Sequence, residues 1–114
     1  MIRRETEAGW MLITQDDHAY LSFEIMKNWG NGKFEEIAPR DEVLTAIREH
    51  DFGWKKWDAT AVLNKKNFYP KNFMEMYTKD QYMIWKNSFE NLADNNRYAS
   101  SLVALHFAKF NNHT

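Results

Sequence analysis

The pattern of apolar and polar positions predicts a β-hairpin followed by about four helices. Residues 2–14 form two short segments around a turn at residues 7–9, which is typical of a hairpin. Thr14 then reads as the N-cap of a first helix with Asp17 as its capping-box partner, and Gly30 and Gly32 mark the stop after Trp29. The spacing predicts that this helix buries Leu21, Ile25 and Trp29.

Three further helices are expected after the glycines. They run from residue 39 or 41 to about residue 51, from Thr78 to the break at residues 94–96, and from about residue 97 to residue 110. Thr78 and Gln81 form another capping-box pattern at the start of the second of these helices. The stretch 54–73 is rich in turn formers and long for a structureless loop, and such stretches are often functional or carry a short extra element. The polar tail at 111–114 is expected to fray. The predicted buried positions are Val43, Leu44, Ile47, Tyr82, Trp85, Phe89, Leu92, Leu102, Val103 and Phe110. The predicted fold class is therefore mainly α.

Length and composition favour one cytoplasmic domain that spans residues 1–114. The net charge is −1, and Lys and Arg form no stripe, so neither nucleic-acid nor membrane binding is expected. No signal peptide and no apolar run of about 20 residues is found. Cysteine is absent, so any metal ligands must be His and carboxylate side chains.

Three of the four histidines share helical spacing with apolar residues, while His113 lies in the tail. His18 lies in line with Leu21, His50 follows Ile47 by three positions, and His106 follows Val103 by three. This spacing predicts that all three imidazoles point inward. Asp51 borders the apolar face of its helix, and a buried carboxylate is costly unless it is paired or binds a metal.

The sequence is compatible with two roles for this cluster of histidines and aspartate. A single inward-facing histidine is most often a core residue with one hydrogen bond, and a His-Asp dipeptide occurs by chance in many proteins. Three histidines and an aspartate from three helices also suit a metal site for Zn, Fe, Mn, Ni or Co. The sequence does not choose among these metals.

Residues 44–53, which end in His50-Asp51-Phe52-Gly53, resemble the signature of the HD superfamily of metal-dependent phosphohydrolases. The whole chain more closely resembles a bacterial family, domain-of-unknown-function family 3891. That resemblance rests on residues 12–18, 50–58, 69–73 and 98–107.

The HD resemblance implies a divalent metal held by His18, His50 and Asp51, with Asp51 also as the catalytic residue and His106 as a further ligand. It implies an HD-like helical arrangement and a small phosphorylated molecule as substrate. Two features depart from the pattern: Trp54 stands where many HD hydrolases have Lys, and no clear distal Asp follows His106. Relatives in family 3891 usually continue with further helices, so Thr114 is expected to be a truncation point, and exposed apolar surface would favour a homodimer.

Three residues near the predicted ligands are candidates for supporting roles: Asp17, Trp54 and Asp58. If their roles are purely structural, Asp17 is a helix N-terminal charge, Trp54 is a core residue and Asp58 belongs to a turn. The alternative function is a non-enzymatic helical interaction module whose His/Asp cluster is structural or vestigial. A third hypothesis is an oxygen-dependent enzyme with iron.

Overall fold

The chain begins with a two-stranded antiparallel hairpin. The computed structural model describes residues 1–112, so His113 and the end of the predicted tail lie outside the described residues. Strand β1 (Ile2–Thr6) pairs with β2 (Gly9–Ile13), and Ile2 lies opposite Ile13. Gly9, the first residue of β2 after the turn, has φ of 131°, a backbone conformation that residues other than glycine rarely adopt. The predicted hairpin is confirmed.

The rest of the described chain is mainly helical, as predicted. Five α-helices follow the hairpin in chain order: α1 (Gln15–Lys27), α2 (Arg40–Glu49), the single-turn α3 (Lys55–Asp58), α4 (Thr78–Ala93) and α5 (Arg97–Asn112). Short 3-10 helices span Phe52–Trp54 and Phe73–Glu75. Among the described residues, none of the helices is long and apolar enough to cross a bilayer.

The stretch 54–73 is more ordered than a plain loop. It contains α3, and an isolated antiparallel bridge joins Leu63 to Pro70. Phe68 lies between these two residues with φ of 59°, in the left-handed region that aromatic residues rarely occupy. The expectation that this stretch carries an extra element is confirmed.

The main core lies where α2, α4 and α5 meet. Its buried members are Ala46, Leu92, Ala99, Val103 and Phe107. Trp85 of α4 stacks on Phe107 of α5, with ring centroids 5.1 Å apart. Across the same pair of helices the Ser100 hydroxyl donates a hydrogen bond to the Phe89 carbonyl, at 2.7 Å. This packing fixes α5 against α4 and leaves α1 at the edge of the group of helices.

The predicted buried face of α1 is wrong. Leu21, Ile25 and Trp29 are 60%, 56% and 40% exposed, whereas Ala19 is fully buried. Because α1 packs mainly on α2, the small Ala19 turns inward and the larger apolar residues lie on the uncovered side.

Helices α4 and α5 differ from the prediction in their capping and in which residues they bury. Thr78 does not cap α4: the N-cap is Tyr77, and it makes no side-chain capping bond. Tyr82 and Phe110 are about half exposed, at 47% and 51%, and Phe107 is buried where Phe110 was expected. Ile84 and Ser88 form the most buried part of α4, since this face of the helix meets the turn after α2.

Candidate metal centre

The end of α2 places two neighbouring polar side chains side by side. His50 is the C-cap of α2 with helical dihedral angles, and Asp51 leaves the helix with φ of −105° and ψ of 18°. Consecutive side chains on a regular helix point about 100° apart. Because the helix ends here, the Nε2 atom of His50 and the Oδ2 atom of Asp51 lie only 3.2 Å apart.

Both ring nitrogens of His50 face oxygen atoms. Its Nδ1 atom lies 2.6 Å from the carbonyl oxygen of Ile47, and a carbonyl only accepts, so Nδ1 carries a proton. A backbone carbonyl on one nitrogen orients many metal-binding histidines and leaves the other nitrogen free as ligand. In the neutral ring the lone pair of Nε2 therefore faces the carboxylate of Asp51.

Asp51 is a buried carboxylate with little compensation from the protein. The residue is 4% exposed, and among residues 1–112 the side chain of His50 is the one partner of its carboxylate. Buried carboxylates are costly unless they are paired with a charge or bound to a cation. The surroundings therefore favour a positive charge, either a proton on His50 or a metal ion, beside Asp51.

His18 completes a group of three potential ligands. Possible ligand atoms of His18, His50 and Asp51 all lie within 4.8 Å of one another. His18 itself is exposed, so the prediction that its ring points into the core is wrong; it points into an open groove beside α2. An exposed ring has rotational freedom, which allows it to approach the other two side chains.

His106 approaches the same place from α5 but is not part of that group. Its ring centroid is 5.3 Å from that of His50 in an edge arrangement. The rings of Phe107 and Phe110 contact it as well, at 5.0 and 5.1 Å. Residue His106 is exposed rather than buried, which corrects the predicted inward orientation. The structure thus brings together all four predicted ligands, three of them closely.

The two neighbouring imidazoles differ in their proton affinity. Burial lowers the pKa of His50, but the hydrogen bond and charge of Asp51, together with the Ile47 carbonyl, outweigh it, so the net pKa is raised. Although residue His106 as a whole is exposed, partial desolvation of its ring lowers its pKa, and the charge of His50 lowers it further. His50 is thus the better proton acceptor of the two, and His106 the weaker one.

A close contact with α4 fixes the position of the His50-Asp51 pair. The backbone N–H of Gly53 donates to the hydroxyl of Ser88 at 2.9 Å, and that hydroxyl donates to the Ile84 carbonyl at 3.0 Å. A Cβ atom at Gly53 would lie 1.9 Å from the Ile84 carbonyl oxygen. The sequence marks Gly53 as a helix end; the structure adds that only glycine fits there.

The histidines border an open groove of about 460 Å³ between α1 and α5, which we call the His groove. Ser22 also lines it, and the remaining lining side chains are apolar: Met26, Val43, Ala46, Ile47, Leu102 and Val103. Sequence reasoning missed Ser22 and Met26, because it placed the inner face of α1 elsewhere. The available signal was helical spacing, since Ser22 follows His18 by four positions and Met26 follows Ser22 by four.

None of the three candidates for supporting roles belongs to the group of potential ligands. The carboxylate of Asp58 accepts from the α-amino group of Met1 at 2.7 Å and from the backbone N–H of Gln15 at 2.8 Å. Trp54 is 3% exposed and lines a small cavity of about 70 Å³ beside Asp58. Asp17 is exposed, and its N–H donates to the Thr14 hydroxyl. These contacts give all three residues a structural role.

Comparison with known proteins identifies one family. The model of a family described as "Protein of unknown function (DUF3891)" matches residues 1–114. No curated protein and no solved structure matches the chain. The resemblance to family 3891 is therefore confirmed over the whole chain, and the geometry of the site carries the functional argument.

Proposed function

Since the chain belongs to the DUF3891 family of proteins of unknown function, we propose a function from the site itself: His18, His50 and Asp51 bind a divalent metal ion that serves in the hydrolysis of phosphate esters. The observation that carries the proposal is the pair His50-Asp51. Two electron-rich atoms, Nε2 and Oδ2, face each other at 3.2 Å, and a shared cation stabilises such a pair.

The donor set fits a first-row divalent metal. Imidazole nitrogen and carboxylate oxygen suit Mn, Fe, Ni, Co and Zn. In sites where bonds to the metal are about 2.1 Å long, neighbouring ligand atoms lie roughly 3.0–3.4 Å apart, which matches the 3.2 Å between His50 and Asp51. His18 would supply a third ligand from a ring with room to rotate. When bound, such an ion supplies Lewis-acid activation of water and of a phosphoryl oxygen.

The remaining groups have roles that follow from their surroundings. Asp51 would hold the charge of the site and orient the imidazole of His50. His106, whose pKa is lowered by partial desolvation of its ring and by the neighbouring His50, would stay neutral near pH 7 and could accept a proton from water in the groove.

The choice of phosphate esters rests on the HD resemblance of residues 44–53. His18 and the His50-Asp51 pair correspond to the first three metal ligands of that superfamily. Trp54 in place of Lys is a feature that speaks against an HD-type site. On the strength of the matches at His18 and at the His50-Asp51 pair, we include an HD-like arrangement of the helices in the proposal.

Metal content is the decisive measurement. Untagged protein purified without chelator should contain about one transition metal ion per chain by mass spectrometry, and His50→Ala and Asp51→Asn should lose it. Asp17→Asn is the matched control, since it removes an exposed carboxylate next to His18 and should retain the metal. Equal metal content in all four proteins, or no metal and no thermal stabilisation by added ions, would refute the site.

A phosphatase assay then tests the reaction. The metal-loaded protein should hydrolyse a chromogenic phosphomonoester, and His50→Ala should reduce the rate to background. Turnover that does not depend on added metal or on His50 would contradict the proposed chemistry, even if the metal binds.

One observation favours the second candidate, a non-enzymatic interaction module. The exposed side of α1 presents Leu21 and Ile25, and nearby Trp29 stacks on the exposed Phe34 at 4.5 Å. Exposed apolar clusters of this kind mark contact surfaces. In that case Ile25→Lys should abolish self-association in sedimentation experiments, and His50→Ala should lower the melting temperature without changing any turnover.

A further inference from the structure

The His groove has a polar end and an apolar floor. The rings of His18 and His106 lie 6.1 and 5.3 Å from that of His50 between centroids, and we call this group of lining imidazoles the polar end. We call the apolar lining residues, which include the half-buried Met26 and Ile47, the floor. Helices α1 and α5 each pack on α2, which leaves the groove between them open. Its volume of about 460 Å³ lies within the range of small-molecule sites.

The groove lacks the cations that polyphosphates require. Among residues 1–112, no Lys or Arg side chain lines it. The nearby cation of α2, Arg48, instead pairs with Asp16 at 3.1 Å and lines a different cavity. Proteins that bind nucleoside di- and triphosphates neutralise the additional phosphates with Arg, Lys or backbone N–H groups. A ligand of this groove would have one anionic group, placed at the histidines.

The floor of the groove suits the other end of such a ligand. Met26 of α1, Ile47 of α2 and Leu102 of α5 are each only partly buried, so their remaining apolar surface is available for contact. Covering such surface with an apolar group is favourable. Met is also an adaptable contact for ligands of varied shape.

We propose that the His groove binds a phosphate monoester whose alcohol part is apolar, with the phosphate at the His18/His50/Asp51 cluster and the apolar part on Met26, Ile47 and Leu102. This inference rests on the proposed function for its polar end. It excludes nucleotides and inorganic polyphosphates as preferred ligands.

Alkylphosphonates of increasing length provide the test, because their carbon–phosphorus bond resists hydrolysis. With metal-loaded protein, calorimetry should show that affinity rises about twofold to fourfold per methylene from ethyl- to hexylphosphonate, the value expected for partly to fully buried methylenes. ATP and pyrophosphate should bind no more tightly than hexylphosphonate.

Two methionine variants test whether the dependence of affinity on chain length arises in the His groove. Met26→Gln should flatten the dependence of affinity on chain length. Met83→Gln, the matched control, lies on α4 and is 54% exposed, and it should leave that dependence unchanged. Affinity that does not vary with chain length, an unchanged slope in Met26→Gln, or tighter binding of ATP would each overturn the inference and leave the metal site intact.

The methyl signal of Met26 separates this inference from the proposed function. If the protein binds no metal, the proposed function fails, and hexylphosphonate added to the metal-free protein still tests the groove. A shift of the Met26 methyl resonance with hexyl- but not ethylphosphonate, with no shift at Met83, would support the apolar floor. No shift at Met26 under these conditions would overturn it.

Discussion

Replacing Gly53 with alanine should be the most damaging single methyl addition in this protein. The added Cβ would lie 1.9 Å from the Ile84 carbonyl oxygen and 2.8 Å from both the Ile84 carbonyl carbon and the Ser88 hydroxyl. Carbon and oxygen atoms normally approach no closer than about 3.3 Å. The two closest atoms belong to the backbone of α4, so rotation of a side chain cannot relieve the clash.

The loss of folding free energy in Gly53→Ala depends on which part of the backbone shifts to make room for the methyl group. Either α4 or the turn at Phe52–Trp54 has to shift by more than about 1 Å, and α4 is fixed by its packing on α5. Overpacking of this kind costs about 1–3 kcal/mol or more, and loss of the Gly53–Ser88 hydrogen bond adds about 1 kcal/mol. We therefore expect the free energy of unfolding to fall by about 2–4 kcal/mol or more.

Urea unfolding followed by tryptophan fluorescence measures this change. Gly32→Ala is the control, since Gly32 has φ of 92° but no atom within 4 Å of an added Cβ; it should cost only the backbone strain, about 1–2 kcal/mol. The metal affinity of Gly53→Ala should fall as well, because the shift displaces Asp51. Equal midpoints for the two variants would refute the close contact described between Gly53 and α4.

The remaining predictions concern protonation and local anchors. In the metal-free protein, proton NMR should show His50 titrating above 6.5 and His106 below it, given that the pKa of His50 is raised and that of His106 lowered; the reverse order would contradict the geometry. The stability that His50 contributes, measured against His50→Gln, should be present below pH 6.5 and disappear as the pH rises through its raised folded-state pKa. Asp58→Asn should lower the free energy of unfolding by about 3 kcal/mol, because it removes the buried partner of the Met1 amino group; a loss below 1 kcal/mol would show that this pair contributes little. Thr14→Ala should cost about 1 kcal/mol through loss of the N-cap bond to Asp17, and an unchanged urea midpoint would rule that bond out as stabilising.

Features that depend on adjacent residues could be predicted from the sequence. The turn at Gly9 and the N-cap at Thr14 are examples, since each depends on a few neighbouring side chains. The proximity of His50 and Asp51 belongs to the same class, because they are consecutive residues at a helix end.

The burial of a helix face depends on which other helix packs against it, and this could not be predicted from neighbouring residues. The spacing of Leu21 and Ile25 indicates an apolar face of α1 but not whether another element covers it. Within residues 1–112 that face stays exposed, while Ala19 is fully buried and α1 packs mainly on α2. The His groove likewise needs three helices that are distant in sequence, so only the relative placement of α1, α2 and α5 reveals it.

The abrupt end of α2 restricts how this protein can change in length during evolution. An inserted residue turns everything downstream by about 100° around a helix axis. Between His50 and Gly53 such an insertion would separate the two ligands or drive a side chain into α4. The surface segments at residues 28–39 and 59–72 carry no ligand and can absorb insertions. Members of the family are therefore expected to vary in length in those two segments and to keep the spacing from His50 to Gly53 constant.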